Sequence, residues 1–422
     1  MPLPIGVLGG GLCGLLVGNE LRRRRTPFLI LEAEPEPGGL ARTVRLAGMP
    51  ADLGPHAIYG HDRRSISWFR SLPLRFASHR RKVRVVHHGS DGRVHEVDYP
   101  FENGIGDLPL QERMECLLGT LEAHGSGRTD FAQLRDWIDN GLGSGIARHF
   151  MVPYNSKIWN APLEKISMDL VSRKIEPAPV RTVVESALGI RSIGRTVQAR
   201  FLYPRGGIGK VAEALAKPIA DRLVLNAPVR SIRDREVATP KGRFRFSGII
   251  STIPLPELLR ACRLDRRGLV GNTTEFVGVT LKRGRSFKRF ADCHWLFFAG
   301  PELFYRADMM HVFHGSRTQH LVAEITLKGA ASRLSGGRRQ ARVLRDLRKA
   351  GILGAERDVE AVESRVVRWT YPIPTVGLPK LRARMEAVLS RRGIRLLGRS
   401  GRWDYLNMDQ LVGSVRGSFG GK

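Results

Sequence analysis

Six residues near the start of the chain, Gly9-Gly10-Gly11-Leu12-Cys13-Gly14, fit the pattern G-x-G-x-x-G, and their surroundings decide what that pattern means. Ahead of them, Ile5-Gly-Val-Leu is a short apolar run of the kind that forms a buried parallel strand. Behind them, Leu15 to Arg25 reads as a helix, and Pro27-Phe-Leu-Ile-Leu reads as a second strand that ends on Glu32. A glycine pattern alone is weak, but strand, loop, helix, strand and acid in this order form a dinucleotide cradle. Gly9 permits the tight turn, Gly11 lets a pyrophosphate approach the backbone, and Gly14 lets the helix pack against the strand. The helix N-terminus adds free N–H groups and the positive end of its dipole. Glu32 stands where a carboxylate accepts hydrogen bonds from ribose hydroxyls.

A chain of 422 residues has room for two domains and a large core. Cys13, Cys116, Cys262 and Cys293 are scattered without C-x-x-C spacing, so neither a disulfide frame nor a metal site is expected, and a reducing cytoplasm is. Leu3 to Gly18 is apolar, but it has no basic residue ahead of it and is broken by glycines, which excludes a secretory leader. No later run has the length of a membrane span. Lys and Arg number 69 against 40 Asp and Glu, a formal net charge of +29. Much of the excess sits in short runs: Arg22 to Arg25, Arg63-Arg64, His79 to Lys82, Arg338-Arg339 and Arg391-Arg392. These read first as solvated surface. They would also attract a small phosphorylated substrate, or give weak contact with an anionic membrane surface. No nucleic-acid-binding motif accompanies them, so no specific nucleic-acid partner is expected.

Gly38-Gly39-Leu-Ala-Arg42-Thr43 resembles the second phosphate-side motif of FAD enzymes in the group of amine oxidases, protoporphyrinogen oxidases and UDP-galactopyranose mutases. The resemblance implies noncovalent FAD, with Gly38, Gly39 and Arg42 beside its phosphates. It also implies an α/β fold: a Rossmann-type, glutathione-reductase-like FAD-binding domain made of residues 1–60, 201–261 and 386–422. A second, mixed α+β substrate domain would take 61–200 and 262–385, helical from about 105 to 195. The residues of 61–200 themselves read as a hairpin over Lys82 to Tyr99 and as helices over Ile105 to Gly125 and Asp130 to Phe150. Phe201-Leu-Tyr203-Pro-Arg-Gly206-Gly207-Ile-Gly209 resembles the chain's return to the first domain, leading into a helix over Lys210 to Ala220. Leu223 to Ile232 reads as a strand whose Val229 would lie beside the adenine.

Narrower motifs resemble the mutase branch. Asp52-Leu-Gly54-Pro55-His56 is similar to a segment that passes the flavin ring, which implies that Gly54 touches the cofactor and His56 tunes it. Phe150-Met-Val-Pro-Tyr154-Asn155-Ser-Lys157-Ile-Trp159-Asn-Ala-Pro162 makes Asn155 and Trp159 candidate uridine contacts. Tyr99-Pro-Phe-Glu102-Asn103 puts Tyr99 at the substrate, with Glu102 where the family has glutamine. Phe304-Tyr305-Arg306-Ala307 and Tyr371-Pro-Ile-Pro374 resemble segments that hold a substrate diphosphate through Arg306 and Tyr371. The closing stretch Gly398-Arg399-Ser-Gly401-Arg-Trp403-Asp-Tyr405-Leu-Asn407-Met408-Asp409 would return to the cofactor. There Arg399 and a helix start at Asn407, Met408 and Asp409 face the flavin, and Tyr405 faces the diphosphate.

Three substrate positions depart from the mutase pattern. A second diphosphate arginine falls on Lys174, with Arg173 beside it, a family tyrosine falls on Phe313, and Glu102 is the third. Lysine does not reproduce a bidentate grip. The resemblance implies an isomerase-like flavoenzyme acting on a nucleotide sugar or related glycan precursor, as in cell-surface polysaccharide biosynthesis. It would work through N5 of reduced FAD, with NAD(P)H as an external reductant. The alternatives are an oxidoreductase of the amine oxidase or protoporphyrinogen oxidase type, moving hydride from substrate to flavin, and a flavin-binding protein without turnover.

Overall fold

Ile5–Leu8 is the middle strand of a five-stranded sheet in a computed structural model that describes residues 2–59, 63–169, 179–190 and 200–420. The strand order is Leu223–Val224, Phe28–Leu31, Ile5–Leu8, Gly248–Ser251 and Ile394–Leu396, and every pairing is parallel. Neighbouring residues of these strands enter different cores. Val7, Ile30 and Ile250 pack with the helices Leu12–Arg23, Gly209–Ala216 and Met408–Ser418. Leu8, Leu31 and Ile249 pack with the helices Leu255–Ala261 and Leu378–Arg391. Both faces of the sheet are covered, which is why its strands read as continuous apolar runs rather than as alternation.

The second sheet has seven strands in the order Val359–Pro372, Gly271–Leu281, His320–Thr326, Arg306–Asp308, Trp295–Phe298, Val83–His88 and Val94–Asp98. It is mixed: Trp295–Phe298 and Val83–His88 run parallel, and the other neighbours are antiparallel. The period of two again sorts side chains. Val86, Val277, Leu296 and Ala307 enter a core with Val343 and Leu347 of the helix Gly336–Lys349. Val85, Phe276 and Phe297 belong to the core on the opposite face, shared with the helical segment. Arg306 and Asp308 therefore lie on that second face, opposite Ala307. Among the described residues no helix is long and apolar enough to cross a membrane.

Three sequence expectations need correction. The long helix expected over Asp130 to Phe150 is a series of short pieces: Leu134–Trp137, Ile138–Leu142, Ser144–Ile146 and Ala147–Met151. Gly143 interrupts it at φ +93°, and a Cβ there would lie 2.2 Å from the Gly119 carbonyl, so the pieces press directly on the helix Leu110–Gly125. The strand expected over Leu223 to Ile232 lasts only two residues. Asn226 turns the chain at φ +53°, and Ser231–Arg233 joins a separate three-stranded meander. The boundary placed at residue 386 falls inside the helix Leu378–Arg391. Leu378, Met385 and Leu389 all pack under the parallel sheet, so the unit begins with that helix.

Candidate active site

A cavity of about 850 Å³ runs from the Gly9–Gly14 loop to the face of the seven-stranded sheet that carries Arg306. That is within the roughly 300–1,000 Å³ usual for ligand and cofactor sites. Its near end is backbone. Gly11 bridges Gly38, and the Gly38 N–H donates to the Gly10 carbonyl at 2.8 Å, so the two glycine loops are held against each other. A Cβ on Gly14 would lie 1.8 Å from the Gly9 carbonyl oxygen, which only glycine tolerates. The helix Leu12–Arg23 begins at Gly11 with no side-chain cap and no acid in its first turn. Its first N–H groups are left for an anion. Glu32 is buried and lines the cavity; its oxygens accept the Gly10 N–H at 2.5 Å and the Glu34 N–H at 2.9 Å. Each oxygen keeps a lone pair for a hydroxyl. Burial raises its pKa against the pull of those two N–H groups. Arg42 does not present an open guanidinium: Nε donates to the Gly39 carbonyl at 2.9 Å and Nη1 lies 3.4 Å from Glu34, so it braces the second loop. An uncapped helix start, two apposed glycine loops and an acid with spare acceptors fit a nucleoside diphosphate such as that of FAD.

The far end is made of side chains. Gly54, at φ +113°, turns the chain so that His56 lines the cavity. Burial, then the charge of Arg399, pushes the His56 pKa down to about 4, and its Nδ1 has no hydrogen-bond partner among the described residues. The ring is a neutral imidazole at pH 7. Tyr371 and Tyr405 stack at 6.1 Å and 10°, with the Arg399 guanidinium 4.9 and 4.6 Å from their rings. Trp159 meets both rings edge-on at 6.1 and 6.4 Å. Arg81 lies 4.8 Å over the Tyr99 ring, and Tyr99 packs edge-on against Phe297.

Arg306 and Glu324 are register partners on adjacent antiparallel strands, and their side chains pair. Arg306 Nη2 lies 2.6 and 2.7 Å from the two Glu324 oxygens, and Nε lies 3.2 Å from one of them. Tyr305 donates to the same carboxylate, and Tyr371 Oη sits 3.2 Å from Arg306 Nη2. Burial and the Glu324 charge push the Asp308 carboxyl well above its usual range, against the pull of Arg306, whose Nε lies 3.4 Å from Asp308 Oδ1. The expected open diphosphate fork is corrected: Glu324 fills it, and Nη1 is the guanidinium nitrogen that this pair does not use.

The family described as flavin containing amine oxidoreductase matches residues 12–407. The chain belongs to it. FAD is therefore its cofactor, and the apposed glycine loops and Glu32 are where the diphosphate and ribose would be held. A solved structure of reduced UDP-galactopyranose mutase superposes with a TM-score of 0.87 at 23% identity, over 99% of this chain and 96% of that one. A protein from Exiguobacterium described as a protoporphyrinogen oxidase superposes at 0.76 and 17% identity, over 100% and 98% of the two chains. Putrescine oxidase with bound putrescine superposes at 0.67 and 17%, over 99% and 98%. At these identities the likeness is one of fold: a Rossmann-like FAD-binding domain and a substrate domain. A curated Mycobacterium tuberculosis protein named flavin-containing monoamine oxidase AofH is 24% identical over 263 residues. That match covers 59% of this chain, which spans 56% of that relative's length.

In this flavoprotein the other sequence candidates divide. Asn407 and Met408 line the cavity, and Asn407 caps the helix Met408–Ser418 in a reciprocal box with Gln410. Asp409 is buried behind them and does not line the cavity. Val229 is corrected outright: it packs in the core beneath the parallel sheet, away from the cavity, because the strand expected to carry it ends at Val224. Asn155 lines the cavity and also braces its wall. Its Nδ2 donates to the Met151 carbonyl at 2.7 Å and its Oδ1 accepts from Trp159 Nε1 at 3.0 Å. Phe313 is not at the cavity but in an aromatic core with Tyr203 and Trp295. Lys174 lies outside the described residues, as does Arg173. Arg81 and Tyr154 line the cavity and were not among the candidates. Arg81 sits in a basic run with the composition of solvated surface; only its place at the entry to Val83–His88 distinguishes it.

Proposed function

We propose that this flavoprotein acts on a nucleotide sugar or a related phosphorylated glycan precursor, in the manner of UDP-galactopyranose mutase. The observation that carries the reading is the charge of the far end. Arg81, Arg306 and Arg399 line it, Arg306 paired with the buried Glu324 behind it, and Glu102 is the one carboxyl lining it among the described residues. Burial raises the Glu102 pKa, which favours its neutral form. Such a chamber attracts a diphosphate and repels a protonated amine. Arg81 and Nη1 of Arg306 hold the diphosphate, and Arg399 stands between it and the flavin. The phenols of Tyr99, Tyr371 and Tyr405 donate to the diphosphate, and Trp159 offers an aromatic wall to a base. Neutral His56 faces the same space as a hydrogen-bonding group without charge. Reduced FAD, supplied with electrons by NAD(P)H, provides the nucleophilic N5 that a change of sugar ring size requires.

The family description and the M. tuberculosis relative's name favour a second reading, hydride transfer from an amine to the flavin. Incubation with UDP-sugars, with and without prior anaerobic reduction, separates the two. The expected result is saturable UDP binding and ring isomerisation only after reduction, with no peroxide. Peroxide production from an amine, together with no UDP binding in either redox state, would install the second reading instead.

A further inference from the structure

We propose that His87, Glu112 and His149 bind a single divalent transition-metal ion of the zinc class, away from the cavity. His87 is the penultimate residue of the strand Val83–His88, Glu112 lies in the first turn of the helix Leu110–Gly125, and His149 immediately precedes Phe150. Their ligand atoms all lie within 4.8 Å of one another. His87 Nε2 is 2.5 Å from Glu112 Oε2, and His149 Nδ1 is 3.8 Å from the same oxygen. A tetrahedral ion with bonds of about 2.0–2.1 Å needs donor separations of roughly 3.3 Å. The first distance must open and the second close, each by less than about 1 Å, and the two imidazole nitrogens, within 4.8 Å of each other, must close by at most about 1.5 Å.

The hydrogen bonds around Glu112 and His149 orient their lone pairs inward, while His87 Nε2 donates its N–H to Glu112 Oε2 and would give up that proton when the ion binds. Glu112 Oε1 accepts the Ser90 N–H at 2.6 Å, which fixes the carboxylate plane. His149 Nε2 faces Glu115 Oε2 at 2.9 Å, and a neutral imidazole that donates there leaves Nδ1 as a lone pair. That lone pair then faces the Glu112 carboxylate oxygen across a gap too long for a hydrogen bond. Glu112 Oε2 thus faces one nitrogen of each imidazole in a nearly buried place, an arrangement that a cation replacing the His87 proton would bind. A carboxylate on the outer nitrogen of a ligating histidine is the usual support of such sites. Two imidazoles and one carboxylate suit zinc, cobalt or nickel rather than calcium or magnesium. The cluster contains no cysteine and no short ligand spacing, so the sequence pattern that signals zinc is absent.

The ion would join the seven-stranded sheet to the helical segment. Phe150 stacks on Phe101 at 4.8 Å and on Tyr154 at 4.9 Å, and Tyr154 lines the cavity. The site therefore clamps the base of an aromatic column that reaches the far end of the active site.

The test uses untagged, FAD-loaded full-length protein. Metal analysis after zinc loading and gel filtration should give about one zinc per chain, and zinc at about 100 times its Kd should raise Tm by about 3–6 °C. His149→Gln and His87→Gln should each abolish both effects, while His124→Gln, at the exposed far end of the helix Leu110–Gly125 that carries Glu112, should abolish neither. Wild-type protein that shows no saturable one-to-one zinc binding by calorimetry would overturn the proposal, whatever the variants do. So would zinc retained undiminished by a folded His149→Gln protein.

Discussion

At the Gly9–Gly14 end of the cavity the working groups are backbone N–H groups, a helix start and one carboxylate. At the Arg306 end they are guanidinium, phenol and indole groups from the seven-stranded sheet, the helical segment and the closing stretch of chain. The near end is specified by what is missing: a side chain at Gly14, a cap on the helix Leu12–Arg23, an acid in its first turn. The far end is specified by partners: Glu324 for Arg306, Asn155 for Trp159, Tyr371 and Tyr405 for Arg399. A site made of absences accepts its ligand without rearrangement. A site made of pairs must share or exchange partners with its ligand, and so carries the specificity.

The largest effect should come from filling an absence. Gly14→Ala puts a methyl 1.8 Å from the Gly9 carbonyl oxygen, with backbone on both sides, so strand and helix must separate. Apoprotein stability should fall by several kcal/mol, in the upper range of single substitutions at about 4 or more, and FAD should no longer be retained. Gly11→Ala is the control. Its Cβ meets nothing nearer than Gly39 Cα at 3.8 Å, so apoprotein unfolding should be unchanged while FAD affinity drops. Denaturant melts of the apoproteins and FAD titrations read the two effects. Equal stability losses in the two variants would contradict the division of roles.

Breaking a pair should come next. Glu324 is wholly buried, and Glu324→Gln leaves the Arg306 guanidinium with Asp308, 3.4 Å from Nε, as its one remaining carboxyl among the described residues. Removing one partner of a buried ion pair costs about 3–5 kcal/mol. FAD affinity should change little, because the pair lies at the opposite end of the cavity from the glycine loops. Chemical denaturation of the FAD-loaded protein gives the stability. A loss under about 1 kcal/mol would mean that the pair is solvated in solution and that Arg306 is open to ligand after all.

This contrast also decides what the sequence could show. Ile5 to Glu32 is local: strand, loop, helix and acid lie within one continuous stretch, and each residue's task follows from its neighbours. The phase of the strands was legible too, since the hairpin expected between Lys82 and Tyr99 forms as Val83–His88 with Val94–Asp98. The far end depends on register between distant strands. Nothing near Arg306 in the chain announces Glu324, and only the pairing of the two strands brings them together. Val229 failed for a local reason of the opposite kind, because a left-handed Asn226 ended a run whose composition would have continued it. The helix over Asp130 to Phe150 failed because Gly143 and Gly145 serve close approach to the helix Leu110–Gly125 rather than helix propagation.

Asp52 stands between the two ends and offers the smallest test. It precedes the turn to His56 and is buried, accepting hydrogen bonds from Thr43 Oγ1 at 2.7 Å, Tyr203 Oη at 2.7 Å and the Ile208 N–H at 3.4 Å. Thr43 follows the second glycine loop, while Tyr203 packs against Phe313. Burial outweighs the three donors and lifts the Asp52 pKa from 3.8 to about 6. A carboxyl raised on folding is protonated in the native state over a range where the unfolded chain has already ionised. Its contribution is therefore fully present below about pH 4 and is lost as pH rises through about 6, amounting to about 3 kcal/mol. Asp52→Asn cannot ionise and lacks this slope. Wild-type unfolding free energy, measured against the variant's from about pH 4 to pH 7, should decline by that amount. A difference that stays flat, or that grows with pH, would mean that the three donors win over burial and that the junction carries a permanent negative charge.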